Sequence, residues 1–275
     1  MNLREETEFL LKNNGLKANK KLGQNFLISE EIIDQIIERA NVNKEDVIIE
    51  IGPGLGSLTA KLLENAKKVI AIELDSNMVK LLQTRFSLYD NFELIENDVL
   101  KVNLKEIVDR YESVKVVANL PYYITTPIVM KLLEDKLNLK SITVMVQKEV
   151  GERFCAMPNS KDYGAITLSI NYYTNPKIII DVPKENFNPI PEVDSCVINL
   201  EIRKNPPVEL KNEKLFFNLI KAGFSQRRKT INNSLTCAGR TKEEIKNVLE
   251  KLEIPANLRA ENLSIEDFAN ISNNI

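Results

Sequence analysis

The chain has 275 residues, enough for one large or two modest domains at about 150 residues each. It is 43% hydrophobic and 28% charged, which excludes a disordered or fibrous chain, and its net charge of −2 excludes a uniformly basic nucleic-acid coat while leaving room for a local basic patch. It contains no histidine, so Ser-His, Cys-His and His-metal chemistry are all excluded. Cys155, Cys196 and Cys237 form no CxxC pair, and neither a zinc site nor a disulfide framework is expected. The N-terminus carries acids and lacks an apolar signal core, and no apolar run approaches the roughly 20 residues of a membrane span. The expectation is a soluble cytoplasmic protein.

Short β-branched runs alternate with helical segments along the first half. Residues 47–52, 68–74, 92–98, 114–120 and 141–147 read as strands, nearly continuous in apolar character, as parallel strands buried on both faces are. Between them 57–64, 77–86, 104–111 and 127–135 have helical spacing and good helix formers. The alternation predicts a doubly wound, Rossmann-like α/β sheet with ligands outside the carboxyl ends of its strands. Residues 166–180 and 194–202 read as longer strands, an antiparallel pair closing that sheet. The composition breaks at 204–207 (Lys-Asn-Pro-Pro), a linker by its prolines. Residues 213–275 are helical by pattern, so the expected domains are 1–204 and 205–275.

The first strand runs into Glu50-Ile-Gly-Pro-Gly-Leu-Gly-Ser57. Glycines at 52, 54 and 56 let the backbone turn tightly and approach a ligand. The second strand ends in Glu73, placed to accept hydrogen bonds from ribose hydroxyls, and the third in Asn97-Asp98, where a carboxylate can accept from a nucleobase amine. Two ligands compete for such a site: a dinucleotide and S-adenosyl-L-methionine. The loop is G-x-G-x-G rather than G-x-G-x-x-G, and Glu50, Glu73 and Asp98 would make an acidic cleft. Carboxylates suit a sulfonium cation and oppose a pyrophosphate, which favours adenosylmethionine.

The fourth strand ends in Asn119-Leu120-Pro121-Tyr122, which resembles the catalytic motif of adenine-N6 methyltransferases. The residue types suit that chemistry. An exocyclic amine is a poor nucleophile because its lone pair is delocalised into the ring. Acceptors on its two N–H bonds, the Asn119 side chain and the Leu120 carbonyl, favour the pyramidal nucleophilic form, and Tyr122 offers a face for an extruded base. Further blocks are similar to the bacterial small-subunit ribosomal RNA adenine N6,N6-dimethyltransferases: Lys21–Leu27 (KLGQNFL), Gln147–Val150, Pro158–Gly164, Phe187–Ser195, Phe224–Ile231 and Arg259–Ser264. The resemblance covers about residues 17 to 270. Tyr123 and Asn232 depart from it, standing where asparagine and a basic residue are common.

The resemblance implies a class I methyltransferase domain followed by a small helical RNA-contacting domain. It implies adenosylmethionine held by Asn25, Leu27, Gly52, Glu73, Asp98 and Asn119; Asn25 and Leu27 come from the resemblance alone. The segment carrying them, with glycine, polar residues and few evident core anchors, is expected to move. The implied reaction, needing no metal, is dimethylation of two adjacent adenosines in the 3′-terminal hairpin of 16S rRNA, by a monomer working on the small ribosomal subunit or its precursor. The alternatives are a macrolide-resistance methylase of 23S rRNA and a ribosome-assembly or transcription factor using the fold for binding only. Residues 214–242 carry seven basic residues and no acid, so Arg227, Arg228 and Lys229 are the expected phosphate contacts. Lys17, Lys20 and Lys21 form a weaker basic stretch. Tyr172 and Tyr173 are read as strand packing residues.

Overall fold

A computed structural model of the chain describes residues 1–19, 22–226 and 228–275. In chain order it runs α1 (Leu3–Asn13), β1 (Phe26–Leu27), α2 (Glu30–Arg39), β2 (Val47–Ile51), α3 (Ser57–Asn65), β3 (Lys68–Glu73), α4 (Ser76–Arg85) and β4 (Phe92–Glu96). There follow α5 (Leu104–Val108), β5 (Val114–Asn119), α6 (Thr125–Glu134), β6 (Ser141–Gln147) and α7 (Lys148–Phe154). The last third holds α8 (Ala165–Tyr173), β7 (Thr174–Val182), β8 (Phe187–Asn188), β9 (Ser195–Ile202), α9 (Glu213–Ser225), α10 (Ile231–Ser234), α11 (Lys242–Lys251) and α12 (Ile265–Asn274). The fold is α/β and Rossmann-like, with a helical portion.

A seven-stranded sheet has the order β4-β3-β2-β5-β6-β9-β7. Strands β2, β3, β5 and β6 run parallel and bury nearly every residue, because helices cover both faces; the few polar side chains among them, such as Glu50, Glu73 and Lys115, are buried as well. β4, at the edge, is only partly buried. β9 joins antiparallel to β6, from Ser141 opposite Glu201 to Gln147 opposite Ser195. The strand order reverses between β2 and β5, the topological switch point at which ligands bind in open sheets. Their pairing runs only from Val47↔Val114 to Ile49↔Val116, while β2 continues to Ile51 and β5 to Asn119. Beyond the last pair the two carboxyl ends part and leave a crevice.

The chain divides into two compact units, Met1–Gly151 with Pro176–Ile202, and Glu152–Asn175 with Arg203–Ile275. The break at Ile202 lies beside the one expected at 204, but residues 152–175 also belong to the second unit, which a division into 1–204 and 205–275 does not contain. The core of the second unit is built from Phe216, Leu219, Ile220, Ile231, Leu249 and Phe268, with Leu168 and Tyr172 among them. This explains why 166–180 is not the single strand expected. Leu168 and Tyr172, four residues apart, share one helical face, and the second unit's core buries that face. The Gly164 N–H donates to Thr167 Oγ1 at 3.1 Å to start the helix, and Pro176 cannot extend it, so the chain turns extended at Thr174. Tyr172 and Tyr173 do pack, from a helix, against Phe217.

Candidate active site

The crevice at the switch point is lined by residues 22–27, 50–55, 57–58, 72–74, 97–99 and 119–124, with Ile128, all of the first unit. About 1080 Å³ of space not filled by atoms, open solvent included, lies within it.

Its floor is the glycine turn after β2. Gly52, Gly54 and Gly56 have φ of 67°, 58° and 85°, a left-handed conformation that disfavours any side chain. A Cβ at Gly56 would lie 2.6 Å from Phe86 Cε2, and one at Gly54 would lie 3.2 Å from Phe26 Cε1. The turn is braced from behind. Arg85 of α4 donates to the Leu55 carbonyl at 2.8 Å, forms an ion pair with Glu6 of α1, and lies over the Phe86 ring. The side chains of Leu10, Leu11, Leu16 and Ala18 pack on the cluster of Phe26, Leu55, Met78 and Leu81 behind it.

Glu73, at the end of β3, is buried. Its Oε1 accepts the N–H groups of Leu74 and Asp75, both at 2.9 Å, and its Oε2 accepts that of Gly54 at 3.2 Å. A carboxylate has about four acceptor positions, so one remains for a ligand hydroxyl. Burial raises its pKa above the usual range, opposed by the three backbone donors. Glu50, one strand over, is 1% exposed, and burial pushes its carboxyl up to about 8, with the charge of Glu73 adding to the rise. At neutral pH Glu50 is therefore mostly protonated and does not add the charge expected of it to the cleft. Glu50 Oε2 and the neighbouring Thr59 Oγ1 are buried without a hydrogen-bond partner. Asp98 accepts the Leu100 N–H at 3.0 Å through Oδ1. Leu74 and Val99 line the crevice beside these carboxylates and give a flat ring an apolar surface.

The segment 22–27 closes one side. The structure corrects the expectation that it has few core anchors: Phe26 and Leu27 are 6% and 4% exposed. They pair antiparallel with β8, Phe26 opposite Asn188 and Leu27 opposite Phe187. Gln24 Nε2 donates to Asp75 Oδ2 at 3.0 Å. Period-based reading missed these anchors because a two-residue strand has no period, and its partner lies 160 residues away in the chain. Asn25 lines the crevice, and its backbone carbonyl accepts from Asn119 Nδ2 at 3.3 Å.

Asn119 to Tyr122 leave the end of β5 on the opposite wall. With its NH₂ held by Asn25, the Asn119 amide keeps Oδ1 as an acceptor for a ligand. The Leu120 N–H donates to the Met145 carbonyl at 3.2 Å, fixing that peptide. The Pro121 ring lies 3.7 Å from the position a Cβ would take on Gly52, so the two loops touch. The Tyr122 hydroxyl shares a 2.6 Å hydrogen bond with Ser195 Oγ, and burial raises its pKa, so it stays protonated. Glycine turn, ribose-type acceptor, amine-type acceptor and Asn-Leu-Pro-Tyr turn thus converge on one crevice.

A family model described as ribosomal RNA adenine dimethylase matches residues 15–275. The chain belongs to this family. Two relatives, both named ribosomal RNA small subunit methyltransferase A, come from Clostridium botulinum (strain Kyoto / Type A2) and Clostridium acetobutylicum. The first is 50% identical over 256 residues, 93% of each chain, and the second 47% identical over 269 residues, 98% of each. A dimethyladenosine transferase from Plasmodium falciparum superposes with a TM-score of 0.77 at 29% identity, covering 90% of this chain and 95% of its own. The 23S rRNA methyltransferase ErmE shares the fold, with a TM-score of 0.70 at 22% identity over 90% of this chain and 98% of its own. Helix α1 and its Glu6 precede the part matched by the ribosomal RNA adenine dimethylase model.

In the second unit, Arg228 and Lys229 are exposed in the turn after α9, and the expected contact Arg227 lies outside the described residues, as do Lys20 and Lys21. Lys214, Lys221 and Lys242 are exposed as well.

Proposed function

We propose that this chain transfers methyl groups from S-adenosyl-L-methionine to the N6 amines of two adjacent adenosines in the 3′-terminal hairpin of 16S rRNA. The observation that carries this reading is the meeting of the Asn119–Tyr122 turn with Gly52, Glu73 and Asp98 in one crevice. Identities near 50% to small-subunit methyltransferases, against 22% to ErmE, favour the small subunit over the macrolide-resistance reading. The intact acceptor set at Asn119 supports catalysis over a binding role alone.

The residues present fit this cofactor: Glu73 has an acceptor left for ribose and Asp98 a carboxylate for the adenine amine. When bound, the cofactor supplies a methyl group activated by its sulfonium. The chain's own work is to hold and polarise the target amine. Asn119 Oδ1 and the Leu120 carbonyl accept from its N–H groups, two before the first transfer and one before the second, raising the lone pair out of conjugation and stabilising the positive charge that grows on nitrogen until the displaced proton leaves to solvent. Tyr122, anchored by Ser195, gives the extruded ring a stacking face. Acceptors that are in place before reaction need no reorganisation as the charge develops. Arg227, Arg228 and Lys229 hold RNA phosphates. Mass spectrometry of 16S rRNA from cells lacking the chain tests the reading. Loss of dimethyladenosine from the 3′ hairpin is expected, and its persistence there refutes the proposal.

A further inference from the structure

Directly after the anchored Tyr122 comes a second tyrosine whose ring stands in the open. Tyr123 is 58% exposed, and of the exposed aromatic residues Phe9, Tyr89 and Tyr123, it is the one that lines the crevice. Its ring is nevertheless supported. A Cβ built on Gly23 would meet Tyr123 Cδ1 at 3.3 Å and Cε1 at 3.7 Å, so the ring rests beside the Gly23 backbone. Gly23 has a φ of +61° and carries no side chain that would push the ring away. Tyr122 and Tyr123 thus offer two aromatic surfaces on one short turn (Tyr122–Ile124). The first has its hydroxyl tied to Ser195, while the second is braced on one side and open elsewhere.

A base taken out of a stack leaves its neighbour without a partner on that side, and an exposed aromatic face is the surface on which an unpartnered base stacks. The proposed substrate always presents such a neighbour, because its two target adenosines are adjacent. We propose that Tyr123 is the shelf for the nucleotide next to the one being methylated, a second base site with a preference for a purine. This rests on the rRNA reading above and deepens it. The shelf would let the two adenosines exchange places between Tyr122 and Tyr123 as each is modified.

A synthetic 3′-terminal hairpin carrying 2-aminopurine beside the target adenosine reports stacking as quenched fluorescence. Quenching is expected with the unaltered protein and with Tyr123→Phe, and its loss with Tyr123→Ala. On small subunits purified from cells lacking the enzyme, Tyr123→Ala should raise KM for the RNA about 5- to 150-fold. Tyr123→Phe should restore KM, and cofactor affinity by calorimetry should be the same in all three proteins. Quenching that survives Tyr123→Ala overturns the shelf. So does a fall in cofactor affinity with RNA KM unchanged, which would make Tyr123 a brace for Gly23. If the unaltered protein methylates neither hairpin nor subunit, the rRNA reading itself fails and the shelf with it; methylation without a Tyr123-dependent signal refutes the shelf alone.

Discussion

Replacing Glu50 by glutamine removes a carboxyl held at about 8 inside the sheet while keeping its shape. Moving that group from its ordinary 4.5 to about 8 corresponds to about 5 kcal/mol, at 1.36 kcal/mol per pH unit. The folded-state value is raised, so the folded protein binds this proton more tightly than the unfolded chain does. Stability from this group is therefore complete below about pH 4.5, falls as pH rises toward 8, and levels off above it. Between pH 6 and 8.5 the unaltered protein should lose about 2–3 kcal/mol through Glu50. Glu50→Gln should show none of this loss and be the more stable of the two at pH 8.5. Urea unfolding of both proteins at the two pH values, without cofactor, measures the difference. Parallel pH profiles would refute the assignment of Glu50 as a buried neutral acid. A cationic ligand beside it should favour the carboxylate, so cofactor binding at pH 7 is expected to release protons, read by calorimetry in buffers of different ionisation enthalpy.

Asn119→Ala is expected to lower single-turnover methyl transfer by about 100-fold or more, because the lost acceptor acts on charge developing in the transition state, while RNA affinity in a binding assay stays near that of the unaltered protein. Arg85→Gln leaves the Leu55 carbonyl and Glu6 without their charged partner and should lower unfolding stability by about 1.5–3 kcal/mol; an unchanged urea midpoint would count against the brace behind the glycine turn. Replacing Arg227, Arg228 and Lys229 together by alanine should reduce the slope of log affinity for RNA against log salt by about 2–3, with cofactor affinity unchanged. Filter binding across a salt series, with a thermal melt as control, checks this.

Several features were legible in the chain alone because each rests on local rules. The apolar runs at 47–52, 68–74 and 114–120, short and rich in β-branched residues, read as strands covered on both faces. The glycines at 52, 54 and 56 permit left-handed backbone at no steric cost, and all three adopt it. Asn119–Tyr122 follows a strand end, where an α/β sheet puts its chemistry. Tertiary structure decided the rest, because those outcomes depend on partners distant in sequence. Whether 166–173 became helix or strand turned on a hydrophobic core made by residues after 213, which buries Leu168 and Tyr172 on one helical face. The polar segment before Leu27 became anchored through partners distant in sequence: residues 187–188 supply it with a strand, and Asp75 accepts from Gln24. The ionisation of Glu50 was likewise settled by burial: the same glutamate beside solvent would be charged, and buried within the sheet next to Glu73 it holds its proton.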